Sequence, residues 1–249
     1  MAASSYIRTL FNQFPFFTAC KLAAMKTLAK VLDPHFIPSY AQTGEDRIII
    51  ALFHGVTDGF FVDVGCNEPQ TKSNTFELYK RGWRGINIDG NPKLIEKFHR
   101  LRPRDKSLCQ LISSEEKELV FTTFKESLVS SVSAEHVEQW KKEREVESET
   151  RVLAVPLAKV LREQRVPARF QLLSIDVEGH DWEVLTSFSL DEFRPGLIVI
   201  EMHKFDFTNP HSDRIYRYLN ENGYRLVSYA VMNGYFVDER SQGNRAAAN

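Results

Sequence analysis

Apolar residues in this chain come in two rhythms. Residues 60–64, 83–88, 170–177 and 197–202 are short, nearly unbroken apolar runs, as expected of strands covered on both faces. The segments between them, 47–53, 73–80, 91–101, 157–164, 182–188 and 212–222, read as helices. Glu45 and Asp46 precede the helix at 47–53 and fall in its first turn, where acids suit the positive end of the helix dipole. Ser73 is placed to cap 73–80, and Asn91-Pro92 joins a capping side chain to proline at the first helical position. Further strands are expected at 106–112, at 118–124 after the charged turn 115–117, and at 151–155. Residues 224–231 and 235–238 read as an antiparallel pair turned by Asn233-Gly234.

Strands alternating with helices and closing in a hairpin predict an α/β fold. Its sheet is mostly parallel, with helices on both faces and a C-terminal antiparallel hairpin. In such sheets ligands sit beyond the carboxyl ends of the strands. That rule gathers Asp63 with Gly65, Asp89 with Gly90, Ser113, Asp176 with Glu178, and Glu201 with His203 around one crevice.

Three stretches stand apart. Residues 1–32 are rich in large apolar side chains and divided by Pro15; a connector with two prolines follows at 33–39. The pattern predicts a pair of amphipathic helices covering one side of the domain. Lys21, Lys26 and Lys30 leave open a peripheral membrane or partner-docking role. The charge order and cleavage site of a signal peptide are weak here. Residues 127–149, a Ser/Val run and then a polar stretch around Trp140, suggest a solvated helix or a flap able to gate the crevice. Residues 241–249 are expected to be disordered. The division is thus a helical extension at 1–39, an α/β domain at 40–240 and a tail at 241–249.

Composition narrows the partners. A chain of 249 residues suits one α/β domain with additions. Its net charge of −1 supplies no long-range field for nucleic acid. Cys20, Cys66 and Cys109 are too scattered for a disulfide framework or a metal motif and point to a reducing, cytoplasmic setting. No apolar run approaches a membrane span. Oligomeric state is not readable.

The candidate chemistry lies in two matching loops. The run from Gly59 through Asp63, Val64 and Gly65 to Cys66 and Asn67 leaves an apolar strand for an acid, a glycine and small polar residues. The run from Gly85 through Asp89, Gly90 and Asn91 repeats that shape. Such a pair suits a nucleoside: the first loop lets a ligand approach the backbone, and the second acid can accept from a ribose diol. Asp89 could instead only cap the helix after it. The absence of Gly-x-Gly-x-x-Gly argues against a nicotinamide-dependent oxidoreductase.

Five segments in order resemble the FkbM-type methyltransferases. They are Gln42-Thr43-Gly44-Glu45-Asp46; residues 61–65 with Ser73-Asn74-Thr75; residues 82–86 through Asn91-Pro92; residues 173–180; and Arg194-Pro195 through Ile200-Glu201. The resemblance implies a Rossmann-like class I methyltransferase fold and S-adenosylmethionine as cofactor. It also implies methyl transfer, typically to a hydroxyl of a carbohydrate or small metabolite. By position it places Asp63 and Gly65, with Cys66 and Asn67, against the methionine part. Asp89, with Gly90 and Asn91, would lie at the ribose and Ser113 at the adenine. Asp176 would lie near the amino group and transferred methyl, and Gln42 and Glu45 would help close the pocket.

One departure stands out. Pro69 occupies a place where such enzymes often carry a second loop glycine, and proline has neither an amide hydrogen nor access to positive φ. A degenerate fold acting as a non-catalytic interaction module is therefore the competing reading. Methyl transfer to a hydroxyl calls for alignment and a base; His180, Asp176, Glu178, Glu201 and His203 are the candidates. Asp176, Glu201 and His203 are the donor types of a carboxylate–imidazole metal site, but they lack a ligand spacing and no metal is expected. The Asp176-Val177-Glu178-Gly179 strand end differs from the Asn/Asp-Pro-Pro-aromatic loop of enzymes that methylate nucleic-acid bases.

Overall fold

The computed structural model of the protein describes residues 3–125 and 130–240. The chain opens with α1 (Ala3–Gln13), α2 (Phe16–Leu32) and α3 (Glu45–Leu52). Next come β1 (Phe60–Val64), α4 (Phe76–Lys80), β2 (Arg84–Asp89), α5 (Pro92–Leu101), β3 (Lys106–Cys109), β4 (Leu111–Ile112) and β5 (Lys117–Phe124). After β6 (Ser130–Ser131) and α6 (Ala134–Trp140) follow β7 (Val146–Val155), α7 (Leu157–Glu163), β8 (Arg169–Ile175), α8 (Asp181–Leu185) and β9 (Arg194–Glu201). A 3₁₀ turn at Pro210–Ser212, α9 (Arg214–Glu221), β10 (Tyr224–Ala230) and β11 (Asn233–Asp238) complete the described chain.

A seven-stranded sheet runs in the order β10-β11-β9-β8-β1-β2-β3. β1 lies between β2 and β8, parallel to both, with Asp63 in register with Asn87 and Ser174. Side chains alternate across it: Val62 and Val64 join the large core on one face, and Phe61 joins Ile49, Leu78 and Trp83 on the other. β11 is antiparallel to both β9 and β10. A mostly parallel sheet with helices on both faces and a C-terminal hairpin is the architecture that the apolar runs predict.

Several boundaries differ from expectation. The segment 106–112 is not one strand: β3 belongs to the main sheet, whereas β4 pairs with β7 in a second, four-stranded sheet ordered β4-β7-β5-β6. Helix α4 begins only at Phe76, and Ser73 does not cap it; the Ser73 hydroxyl instead accepts from the Thr75 amide at 3.4 Å. The hairpin turns at Val231 and Met232, with Val231 at φ 59°, and Asn233-Gly234 already belong to β11. In the polar segment, the described part contains β6, α6 and the first half of β7. The rest of that segment, at 127–129, and the tail at 241–249 lie outside the described residues.

The N-terminal helices form as the pattern predicts. Tyr6, Leu10, Phe14 and Ala19 pack on Phe76 and Tyr79 of the α4 helix. No helix among the described residues is long and apolar enough to cross a membrane.

Candidate functional site

The carboxyl ends of β1, β2, β8 and β9 surround a cavity of about 330 Å³, within the range of small-molecule sites. Gly65 makes the junction possible. It sits at φ 78°, and a β-carbon there would stand 1.8 Å from the Asp176 carbonyl oxygen; any other residue would force β1 and β8 apart. The backbone stitches the strand ends together: the Gly65 amide donates to the Ile88 carbonyl at 2.9 Å, and the Asp176 amide to the Val64 carbonyl at 3.0 Å.

Asp63 is buried on the cavity wall and held from behind. The Arg102 guanidinium donates to the Thr75 hydroxyl at 3.0 Å, and that hydroxyl donates to Asp63 at 2.8 Å. Arg102 is itself paired with Asp105 at 2.8 Å, both side chains fully buried. Burial pushes the Asp63 carboxyl up, while the Thr75 bond and the Arg102 charge pull it back.

Asp89 ends β2 and shares the same cavity. It accepts from the Asn67 amide at 3.2 Å and the Asn91 amide at 2.8 Å. Burial raises its pKa from the ordinary 3.8 to about 6, against the pull of those two amides. Each of its oxygens accepts one amide and keeps a second lone pair for a ligand.

The loop after β8 contributes Asp176, Glu178 and His180 to the wall. It turns through positive φ at Glu178 (53°) and Gly179 (90°). Asp181 braces the turn, accepting from the Val177 amide at 3.2 Å and the Gly179 amide at 3.1 Å. Burial drives the Asp176 carboxyl well up, and the Glu178 charge adds to it. Burial and then Asp176 and Glu178 lift Glu201, at the end of β9, to about 8. Asp181 also rises to about 8, through burial and then Glu201.

The second sheet covers the opening. Ser131 donates to the Glu178 carbonyl at 3.0 Å, and the His136 and His203 ring centres are 5.5 Å apart. Gly179 has no side chain because the His136 ring fills that space: a β-carbon would lie 2.3 Å from it. Trp140 and Arg144, just beyond, line the cavity.

Three expected site residues lie off the wall. Asn91 caps α5, accepting from the Lys93 amide at 3.0 Å. Ser113 is wholly buried off the cavity wall, with its hydroxyl 3.1 Å from the His180 Nε2. His203 stands outside the cavity, its Nε2 3.2 Å from Glu201. The other candidates, from Gln42 and Glu45 through Glu201, are brought together. Among the described residues no group of three or more His, Cys, Asp and Glu side chains is arranged to hold a metal ion.

The profile of the methyltransferase FkbM domain matches residues 63–226, a span that starts at Asp63 and contains Asp89, Asp176 and Glu201. The chain belongs to the FkbM methyltransferase family. Among solved structures, a methyltransferase FkbM from Methylobacillus flagellatus KT aligns with 94% of this chain at 9% identity and a TM-score of 0.48. This chain spans 58% of that protein's length. A TehB-like SAM-dependent methyltransferase from Corynebacterium glutamicum ATCC 13032 Kitasato aligns with 88% of this chain and 97% of its own, at 13% identity and a TM-score of 0.37. No curated protein is similar enough in sequence to match.

The cofactor of this FkbM-type class is S-adenosylmethionine, and the wall fits its chemistry. Asp63, Asp176, Glu178 and Glu201 crowd one cavity with raised pKa values, so a ligand bearing a sulfonium and an ammonium relieves their repulsion. Asp89 offers free lone pairs for a diol. The loop containing Pro69 spends its Gly65, Cys66 and Asn67 amides on Ile88 and Asp89, but presents Lys72 and Asn74 to the cavity instead. Those two, with Trp140, Arg144 and Asn233, are wall residues absent from the site predicted by the sequence. Asn74 lies inside a family segment, Trp140 and Arg144 lie in the segment expected to form a solvated helix or a gating flap, and Asn233 is expected from the sequence only in a hairpin turn.

Proposed function

We propose that this FkbM-family chain transfers the methyl group of S-adenosylmethionine to a hydroxyl oxygen of a carbohydrate or another small hydroxylated metabolite. The observation that carries this reading is the single acid-walled cavity shared by Asp63 and Asp89 on adjacent strands. When bound, the cofactor supplies an electrophilic methyl carbon on a sulfonium. Asp89 accepts hydrogen bonds from the ribose diol. Asp176 faces the ammonium, with Asp63 adding negative charge beneath it, and Lys72 balances the carboxylate. Trp140 and Phe121 give the acceptor side an aromatic wall, which suits a sugar ring with few polar anchors.

Glu201 is the base in this reading. It lines the cavity, and His203 stands 3.2 Å behind it with a side chain 39% exposed. The acceptor hydroxyl's proton passes to the Glu201 carboxylate, and the His203 imidazole hands a proton on to water. His180 serves less well: its Nε2 meets Ser113 at 3.1 Å and its Nδ1 faces Glu183 at 3.6 Å. The high pKa of Glu201 makes the base conditional. A cation in the cavity draws its proton off, so the base forms when the donor site is filled.

Calorimetric titration with S-adenosylmethionine tests the donor half, and saturable binding is expected. No heat at any pH would leave the fold as a non-catalytic interaction module. Glu201→Gln tests the other half. Transfer of labelled methyl to a panel of hydroxylated sugars, measured at saturating donor because donor affinity also falls with the lost carboxylate, should drop about 10²–10⁴-fold. A Glu201→Gln variant with full transfer would remove Glu201 from the mechanism.

A further inference from the structure

The sheet order separates the donor's share of the cavity from the remainder. Asp89 ends β2, Asp63 lies in β1, Asp176 follows β8, Glu201 ends β9 and Asn233 begins β11. These are five consecutive strands of the main sheet, and all five residues line the cavity. Neighbouring strands lie about 4.8 Å apart. With the ribose on Asp89 and the sulfonium near Asp176, Glu201 is one strand beyond the donor and Asn233 is two, roughly 10 Å on. What reaches Asn233 is therefore the acceptor, not the adenosyl group.

Asn233 presents an unused hydrogen-bond acceptor there. The residue is only 8% exposed, and its Nδ2 donates to the Glu45 Oε1 at 3.2 Å. Glu45 is itself held: its Oε2 accepts from the Thr43 amide at 2.9 Å and its Oε1 from the Thr43 hydroxyl. Turning the Asn233 amide over would set its oxygen against Glu45, acceptor on acceptor, so the orientation is fixed. The Asn233 Oδ1 then has no hydrogen-bond partner among the described residues. A buried amide oxygen without a donor is costly, and a ligand hydroxyl removes that cost.

Its neighbour decides which hydroxyl. Asn233 and Glu201 stand directly opposite each other in the β9–β11 ladder. Such pairs share a face of the sheet, with β-carbons about 5 Å apart. One acceptor can thus offer its reacting hydroxyl to Glu201 and a second hydroxyl to Asn233. Hydroxyls on adjacent ring carbons bridge that gap when each points outward to its own partner. We propose that Asn233 selects the acceptor, a sugar ring with a free hydroxyl on the carbon next to the one that is methylated. This proposal rests on the methyl-transfer reading with Glu201 as base. The reacting oxygen bonds the methyl carbon as the carbon–sulfur bond breaks, and its proton goes to Glu201. The Asn233 Oδ1 only accepts, so an ether on the adjacent carbon has no proton to offer and is refused.

Acceptor assays with the full chain test it. Labelled methyl transfer is measured at saturating S-adenosylmethionine on the methyl pyranosides of glucose, galactose and mannose and on their monodeoxy and mono-O-methyl analogues. The methylated position is read by NMR. At least one parent pyranoside should accept methyl. Removing or etherifying one hydroxyl adjacent to the methylated position should cut kcat/KM about 10–100-fold, and the same change at a non-adjacent carbon should not. In Asn233→Ala that discrimination should collapse toward one, with thermal unfolding and calorimetric donor affinity close to native. Equal transfer by the native chain to parent and adjacent-position analogue would overturn the proposal and leave the methyl-transfer reading intact. So would an Asn233→Ala variant that keeps the native discrimination, or one whose donor affinity falls as far as its transfer, which would put Asn233 on the donor. No transfer to any pyranoside would overturn it as well, and donor binding in the same sample then shows whether the methyl-transfer reading falls with it.

Discussion

Thr75 is the link through which the buried core holds the site, and replacing it by valine isolates that link. The side chain is fully buried and valine has nearly its shape. The change therefore removes one hydroxyl, which accepts from Arg102 at 3.0 Å and donates to Asp63 at 2.8 Å. Hydrogen bonds to charged groups are worth about 1.5–3 kcal/mol each. Arg102 keeps its Asp105 partner and Asp63 can take up a proton, so part of the loss is recovered. A net cost of about 2–4 kcal/mol follows, which a domain of about 5–15 kcal/mol survives. Thr75→Ser keeps the hydroxyl and loses only a methyl, for about 1 kcal/mol. Urea unfolding should therefore rank native, serine and valine in that order of stability. The valine deficit should shrink as pH falls and Asp63 becomes protonated in both the folded and unfolded chain. Donor affinity should drop with valine and hold with serine. Equal stabilities for Thr75→Ser and Thr75→Val would refute the relay.

Other outcomes follow from the same geometry. The Asp89 pKa of about 6 and the Glu201 and Asp181 values of about 8 lie above their ordinary values. The ligand-free fold thus binds more protons than the unfolded chain, and its stability falls as pH rises from about 4 through about 8. A cationic donor favours the ionised forms, so the thermal shift produced by S-adenosylmethionine should grow over that window and level off above it. Gly65→Ala should abolish donor binding and lower the melting temperature sharply, because its β-carbon meets the Asp176 carbonyl; an unchanged melting curve would contradict the contact. Gly179→Ala displaces the His136 ring, so limited proteolysis should cut within residues 130–150 faster than in the native chain, with the main sheet left intact.

Much of this was legible in the sequence because strands buried on both faces must be continuously apolar. β1 and β8 betray themselves in that way, and the acids ending β1, β2 and β9 and following β8 fall together by topology alone. Asn91-Pro92 marks the start of α5 to the residue. Where non-local pairing decides, local reading failed. The run 106–112 is uniformly strand-like, and only its partners show that β3 and β4 join different sheets. Asn233-Gly234 has turn chemistry, yet pairing with Glu201 and Ile200 places it in β11. Lys72, Trp140 and Arg144 sit in polar segments whose spacing carries no period; the polar character of 127–149 suggests a flap, but nothing local singles out Trp140 and Arg144 within it as wall residues.

Gln110 is where the chain leaves one sheet for the other. Its amide donates to the Asp89 carbonyl at 2.9 Å, and its side chain donates to the Leu153 carbonyl of β7 at 2.7 Å. One glutamine thus ties the smaller sheet to the main chain of the residue proposed to grip the ribose. The sheet that covers the opening and the strand end that bears Asp89 therefore share a single residue as their hinge point.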